Sequence, residues 1–194
     1  MLYINFIQNL KVNDVAYNNF MKKKIIIIFL TVSFLFLIFG LIYNFVLFPN
    51  KFNDYVLIYA KQYDIEEELV YAVIKAESDF DEKAVSPSGA MGLMQLIPST
   101  AKWIAREVGE SYNENALFSA KTNIKYGCFY LNYLFSKFES IDEVVCAYNA
   151  GEGVVRSWKE KNDDFNESVI EYEETKIYLS RVKQFYNMYK LKNL

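Results

Sequence analysis

The 194-residue chain carries 21 basic and 24 acidic side chains, a net charge of −3, with 53% hydrophobic and 18% aromatic residues; that is apolar material for one packed domain plus an appendage, and excludes a disordered chain. It contains no histidine, which removes histidine-based dyads and triads and the commonest zinc ligand, so neither a metal nor another cofactor is expected. Beyond residue 48, 17 basic residues face 23 acidic ones, and nothing points to electrostatic binding of nucleic acid.

Residues 1–20 show no clean hydrophobic period and no motif. Met21, followed by Lys22, Lys23 and Lys24, reads as an alternative translation start. From Ile25 to Phe48 the chain is uncharged and is interrupted only by Thr31, Ser33, Gly40 and Asn44, long enough to cross about 30 Å of hydrocarbon as a helix. Residues 25–48 are therefore expected to form a transmembrane signal-anchor helix. The three lysines mark residues 1–24 as a short cytoplasmic segment, which places residues 49–194 on the extracytoplasmic side of the cell membrane. Cleavage as a signal peptide is the alternative, although no A-x-A-like site follows the apolar run.

The C-terminal part reads as mainly helical, without internal repeats or a strong strand pattern. A first helix is expected over Tyr55–Tyr63. A second follows, with Asp64 as N-cap and Glu67 completing a capping box. Its apolar stripe of Leu69, Val70, Val73 and Ile74 leads at helical spacing to Glu77. Pro87, Gly89 and Gly92 then break the chain into a loop rich in backbone donors. Further helices are expected from Ser99, acting as N-cap, to Val108 with Gly109 as stop, and from Ser119 to about Phe138. The latter turns Ile124, Cys128, Leu131, Leu134 and Phe135 to one side, its aromatic residues reading as core. A shorter helix from Asp142 to Asn149 ends at Gly151 and Gly153, and a last one runs over about 171–190, its Tyr and Phe packing onto the core. Cys128 and Cys146 read as two small buried thiols, with a disulfide left open.

Glu77 is the candidate for chemistry. A carboxylate at the end of an apolar stripe is desolvated, and desolvation raises its pKa towards the range in which a group can hold and deliver a proton near neutrality. Asp79, two positions on, points away from that face, and Asp81 and Glu82 read as solvated loop charges, so no convincing second carboxylate accompanies it. Around Glu77 the sequence resembles a known family. The resemblance rests on Glu77-Ser78, on the run Ser86-Pro87-Ser88-Gly89-Ala90-Met91-Gly92-Leu93-Met94-Gln95, on Pro98 and Thr100-Ala101, on Ala147-Tyr148-Asn149-Ala150-Gly151, and on Glu174-Thr175 with Tyr178. In this order and spacing, over roughly residues 52–190, they resemble the soluble lytic transglycosylase catalytic domain, which is related in fold to goose-type lysozyme.

The resemblance implies a lysozyme-like helical domain that acts on peptidoglycan glycan strands. In that family one glutamate protonates the glycosidic oxygen between N-acetylmuramic acid and N-acetylglucosamine. It then accepts the proton of the muramyl 6-hydroxyl as a 1,6-anhydro ring closes, with the substrate's N-acetyl group standing in for a second carboxylate. Carried over by position, Glu77 is acid and base, and Ser78 supports the turn. Ser86, Met94 and Gln95 line the groove, Tyr148 brings its hydroxyl to the carboxylate, and Asn149 shapes the groove. For Met94 a purely core role, and for Ser86 a purely bracing one, stay open. So do a hydrolytic muramidase on the same fold and a catalytically inactive wall-binding or assembly protein. Protein partners are unknown.

Overall fold

The computed structural model describes residues 2–43, 48–162 and 165–192, the side chains from residue 20 onward. The chain divides into two compact units, Met1–Pro49 and Asn50–Leu194. The first is one helix, α1 (Leu2–Ile42), within which Phe20–Ile42 has a mean hydropathy of 3.1 and is not buried. Residues without a readable period thus continue the same helix as the apolar run. The α-helix is described as far as Ile42, and residues 44–47 of the expected span lie outside the described residues.

Among the described residues the second unit is a set of helices with one 3-10 turn and only isolated β-bridges, Val85 with Met91 and Met91 with Leu96. At its centre is α3 (Glu67–Ser78), where Leu69, Val70, Tyr71, Ala72, Val73 and Ile74 are all buried. Because the helix is covered on every side, each large apolar residue contributes about 1.5–3 kcal/mol of burial. Its longest partner is α8 (Glu173–Lys192), which packs along it; Tyr71 of α3 stacks on Tyr189 of α8 with centroids 5.1 Å apart.

The helix ends differ instructively from expectation. Asp64 does not cap α3. It is the left-handed residue (φ 54°) that closes α2 (Asn53–Gln62), where Ile65 N–H reaches back to the Ala60 carbonyl at 2.9 Å, the hydrogen-bond pattern of a Schellman turn. Glu66 is the N-cap of α3 but gives no side-chain cap; its carboxylate is held by Lys190 and the Tyr186 hydroxyl. Likewise α4 (Pro98–Glu107) begins with Pro98 in its first turn and Ile97 as N-cap, so Ser99 lies inside the helix. Proline fits there because its missing N–H would have no partner anyway. Gly109 ends α4 at φ +73°, with Glu110 N–H donating to Ala105 at 2.8 Å.

A 3-10 turn (Glu114–Phe118) leads into α5 (Ala120–Phe135). Ile124, Cys128, Leu131 and Leu134 are buried there as expected, whereas Phe135 is 36% exposed. The helix α6 (Ile141–Ala150) starts with a capping box between Ser140 and Glu143. A further helix not read from the sequence, α7 (Glu152–Glu160), buries Val155 and Trp158. Both cysteines are free and buried, which leaves the two-thiol reading and removes the disulfide.

Candidate active site

Glu77 lies in the last turn of α3, immediately before a reversal made by two consecutive left-handed residues, Asp79 (φ 50°) and Phe80 (φ 65°). Such backbone is costly outside glycine and asparagine, so the surroundings must hold it. Part of that hold comes from Ser78, whose hydroxyl donates to the Leu93 carbonyl at 2.8 Å and ties the helix end to the following loop. Asp79 carries its carboxylate out to solvent, paired with Lys75, away from the groove.

The loop from Ala84 to Leu96 is folded on its own polar groups. Ser86 N–H donates to the Ala90 carbonyl and the Ser86 hydroxyl accepts from Ala90 N–H at 3.0 Å, while Met91 and Leu96 exchange backbone hydrogen bonds. Gln95, at φ 47°, gives its amide Nε2 to the carbonyls of Gly92 (2.8 Å) and Ala84 (3.2 Å), which leaves its Oε1 as an acceptor. A fully buried amide clamps the loop from α5: Asn123 Nδ2 donates to Met91 and Leu117, and its Oδ1 accepts from Met94 N–H at 2.7 Å. This residue was not singled out in the sequence. Its signal is an amide in an otherwise small or apolar stripe, Asn123, Gly127, Leu131 and Leu134.

Together α3, the loop, α6 and α8 enclose a groove of about 370 Å³, lined by Glu77, Ser86, Gln95, Tyr148 and Asn149, and also by Thr100, Tyr130 and Glu174. Five of the six residues expected there therefore meet on one surface. The sixth, Met94, does not reach it. Its side chain is fully buried, and it presses on Gly127 so closely that a Cβ there would lie 2.1 Å from its sulfur. What Met94 offers the site is backbone, because its carbonyl accepts from the Tyr148 hydroxyl at 2.8 Å.

That bond also redirects Tyr148, which was expected to present its hydroxyl to Glu77. The phenol on the carboxylate is instead Tyr178 of α8, whose hydroxyl donates to Glu77 Oε1 at 2.7 Å. One turn earlier on α8, the buried Thr175 donates to Asn149 Oδ1 at 2.8 Å, fixing that amide and leaving its Nδ2 as a donor. Glu174 brings a second carboxylate to the groove, from a segment read only as part of the closing motif.

Burial dominates the electrostatics. Desolvation raises the Glu77 pKa to about 7, opposed by the Tyr178 hydrogen bond and the positive charge of Arg181. Burial, and the neighbouring Glu77 charge, also push the phenols of Tyr148 and Tyr178 well above their usual range, so both stay protonated and act as donors. The arrangement is a carboxyl that exchanges a proton near neutrality, held by a neutral donor and facing a groove of hydroxyl, amide and aromatic groups. That is the equipment of an acid–base catalyst acting on a polyhydroxylated substrate.

Known proteins share this arrangement of sequence and fold. The soluble lytic murein transglycosylase of Salmonella typhimurium is 35% identical over 114 residues, which is 57% of this chain and 18% of that protein. The membrane-bound lytic murein transglycosylase C of Shigella sonnei is 35% identical over 117 residues, 55% of this chain and 33% of that protein. The crystal structure of the 70 kDa soluble lytic transglycosylase of Escherichia coli matches with a TM-score of 0.69 at 30% identity, covering 74% of this chain and 25% of that one. The chain thus spans a third or less of these relatives' length. The Transglycosylase SLT domain family matches residues 54–170, from α2 through the Glu77 turn, the clamped loop and α6, and the chain belongs to that family.

Proposed function

We propose that the protein is a membrane-anchored peptidoglycan lytic transglycosylase, cleaving the β-1,4 bond between N-acetylmuramic acid and N-acetylglucosamine and leaving a 1,6-anhydromuramic acid end. The observation that carries this reading is Glu77, a carboxyl with a pKa of about 7 that faces a groove and is bonded to the Tyr178 hydroxyl. In its protonated form Glu77 gives its proton to the glycosidic oxygen as the bond to the anomeric carbon breaks. The resulting carboxylate then takes the proton of the muramyl 6-hydroxyl as that oxygen bonds the same anomeric carbon. The proton returns to Glu77, and no water is consumed. Gln95 Oε1 and Asn149 Nδ2 are the acceptor and donor that face the sugar hydroxyl and N-acetyl groups, and Tyr178 keeps the carboxyl in one rotamer.

A second reading has its own observation. Glu174 gives the groove two carboxylates, and a second carboxylate could activate water for ordinary hydrolysis. Incubation of the protein with purified peptidoglycan, followed by mass spectrometry of the soluble products, decides between them. Products ending in 1,6-anhydromuramic acid, lost in Glu77→Gln, are expected. Reducing-end products, heavier by one water, would replace the lyase by a muramidase, and products that persist in Glu77→Gln would remove Glu77 from the chemistry.

The anchor in this reading is the apolar part of α1, with Lys22, Lys23 and Lys24 at its cytoplasmic edge. Treating intact, wall-stripped cells with protease is expected to digest residues 49–194, and protection of that domain would reverse the orientation.

A further inference from the structure

A surface helix of a water-soluble domain turns its apolar side inward and its charges to water. The helix α4 does so, exposing Lys102, Arg106 and Glu107, but α2 does not. Its Val56, Tyr59 and Ala60 are buried, and on the outer side Tyr55, Leu57 (43% exposed) and Ile58 (57%) are open as well. Lys51 and Lys61 flank these residues, with Asp54 in the first turn, and all three charges are exposed. The last turn of α8 lies beside the start of α2. Lys192 Nζ donates to Asn50 Oδ1 at 2.8 Å, and Tyr71, which stacks on Tyr189, donates its hydroxyl to Asn53 Oδ1 at 2.9 Å. Leu191 in that turn is 64% exposed, so two neighbouring helix ends leave apolar side chains in the open.

The place of α2 in the chain points to what covers them. Residues 49–52 alone separate it from the end of the apolar run at Phe48, so its first residue stays within about 18 Å of that end even with the connection fully extended. That reach is about one headgroup layer plus one helix diameter. With residues 25–48 as a membrane span, the nearest apolar phase to the open side chains is the bilayer itself. Tyrosine and lysine suit that border, the phenol at the level of the headgroups and the lysine stem along apolar surface with its charge on lipid phosphates. We propose that the outer side of α2 is a lipid-docking surface: Tyr55, Leu57 and Ile58 enter the headgroup layer of the bilayer that α1 spans, with Lys51 and Lys61 on anionic headgroups. The assignment rests on the membrane anchor proposed above. Because the tether makes docking an intramolecular event, a few side chains suffice to favour it. Glu174 in the groove and Leu191 lie at opposite ends of α8, about 25 Å apart along its axis. Docking through α2 therefore fixes the attitude of the groove over the membrane.

The test uses the full chain reconstituted into vesicles of phosphatidylcholine and phosphatidylglycerol, with a nitroxide label on Ile58→Cys, whose apolar probe takes the place of the isoleucine. Cys128 and Cys146 are buried and stay unlabelled. A label on Glu173→Cys, exposed at the other end of α8, is the reference. The ratio of collisions with lipid-soluble oxygen to collisions with a water-soluble nickel chelate reads the depth of each label. It is expected to be clearly higher at residue 58 than at residue 173. Leu57→Glu combined with Lys61→Glu should lower the docked-to-free ratio at least about tenfold, equivalent to about 1.4 kcal/mol, and bring the residue 58 signal close to that of residue 173. Both positions are exposed, and unchanged thermal unfolding in detergent micelles shows that the variant is folded. Lys61→Glu alone, which leaves every apolar side chain in place, should give a smaller fall in the same direction. A residue 58 label as wet as the reference, in vesicles with which the chain floats, overturns the docking surface and leaves the anchor standing, as does a dry label that neither variant changes. A chain that does not float with the vesicles overturns the anchor and the docking surface together.

Discussion

Replacing Tyr178 by phenylalanine removes one oxygen and leaves the ring that packs α8 against α3. The lost group is the hydroxyl that donates to Glu77 Oε1 at 2.7 Å. A hydrogen bond to a charged acceptor contributes about 1.5–3 kcal/mol, and one pKa unit corresponds to about 1.36 kcal/mol. Glu77 is only part-buried, so water can occupy the vacated position, which reduces the expected upward shift to about one unit. The sign follows from what the hydroxyl stabilises: it donates to the ionised form and lowers the pKa against desolvation, so its loss raises the pKa further. Catalysis that begins from protonated Glu77 should therefore keep its activity to higher pH, the alkaline limb of kcat/KM moving from about 7 to about 8. The assay is release of soluble glycan from purified peptidoglycan between about pH 5 and 9, with thermal unfolding as a control for folding. Tyr148→Phe is the companion variant. It frees the Met94 carbonyl rather than the carboxylate, so its limb should stay near 7 even if activity falls. A limb that stays in place or moves to lower pH in a folded Tyr178→Phe protein would refute this account of Glu77.

Glu77 also makes stability depend on pH. Its folded pKa of about 7 stands above the ordinary glutamate value of 4.5, so between those values the folded chain keeps a proton that the unfolded chain has released. Stability should fall as pH rises through that window, by up to about 3 kcal/mol. Glu77→Gln removes this dependence, and the variant should melt several degrees above wild type at pH 8 and close to it at pH 5; equal melting at both would count against a desolvated, proton-holding carboxyl. Gly92→Ala should lose about 2–4 kcal/mol in denaturant unfolding, since its φ is +78° and a Cβ would lie 2.2 Å from the Leu117 carbonyl oxygen and 2.3 Å from Asn123 Nδ2. Gly89→Ala, at φ +82° with open space around it, should lose only about 1 kcal/mol, and equal losses would dismiss the contact argument. Asn123→Ala takes the side-chain partner from Met94 N–H and the Leu117 carbonyl and leaves the Met91 carbonyl only its bond from Leu96 N–H, and a cost of at least about 2 kcal/mol is expected; a cost below about 1 kcal/mol would mean that the loop is not held by this amide.

Helix type and order were readable because they depend on local patterns. The stripe from Leu69 to Ile74, the Gly109 stop and the apolar series along α5 are each decided within a few residues. Helix starts were read less well because an acidic or hydroxyl residue signals a cap only when tertiary structure leaves it free to act as one. Asp64 was taken up by the turn that closes α2, and Pro98 settled the start of α4 ahead of Ser99. The helix α7 was missed because Gly151 and Gly153 read as an ending; Gly151, at φ +96°, ends α6 and is also the N-cap of α7. In the site, side chains that meet beside Glu77 could be gathered from the resemblance of their motifs to the family, while the partner of each polar atom could not. Met94 and Tyr148 lie 54 positions apart and Tyr178 lies 101 positions from Glu77, and no local pattern encodes which phenol takes which oxygen.

That distance explains how the acid is tuned. Burial within α3 and its neighbours would by itself push Glu77 still higher, and both groups that oppose it, the Tyr178 hydroxyl and the Arg181 charge, come from α8. Tyr178 is buried and Arg181, three residues on, is exposed, so one helix supplies a short-range bond from its inner face and a longer-range field from its surface. The same helix supplies the α3 packing through Tyr189, fixes Asn149 through Thr175, and carries Glu174 to the groove. The face of α8 that closes the core is thus continuous with the face that sets the proton affinity of Glu77. A shift of α8 along α3 would change the Tyr178 bond length and the packing of Tyr71 on Tyr189 together. In this fold the pKa of the carboxyl is therefore a property of helix packing, more than of the residues adjacent to Glu77 in the chain.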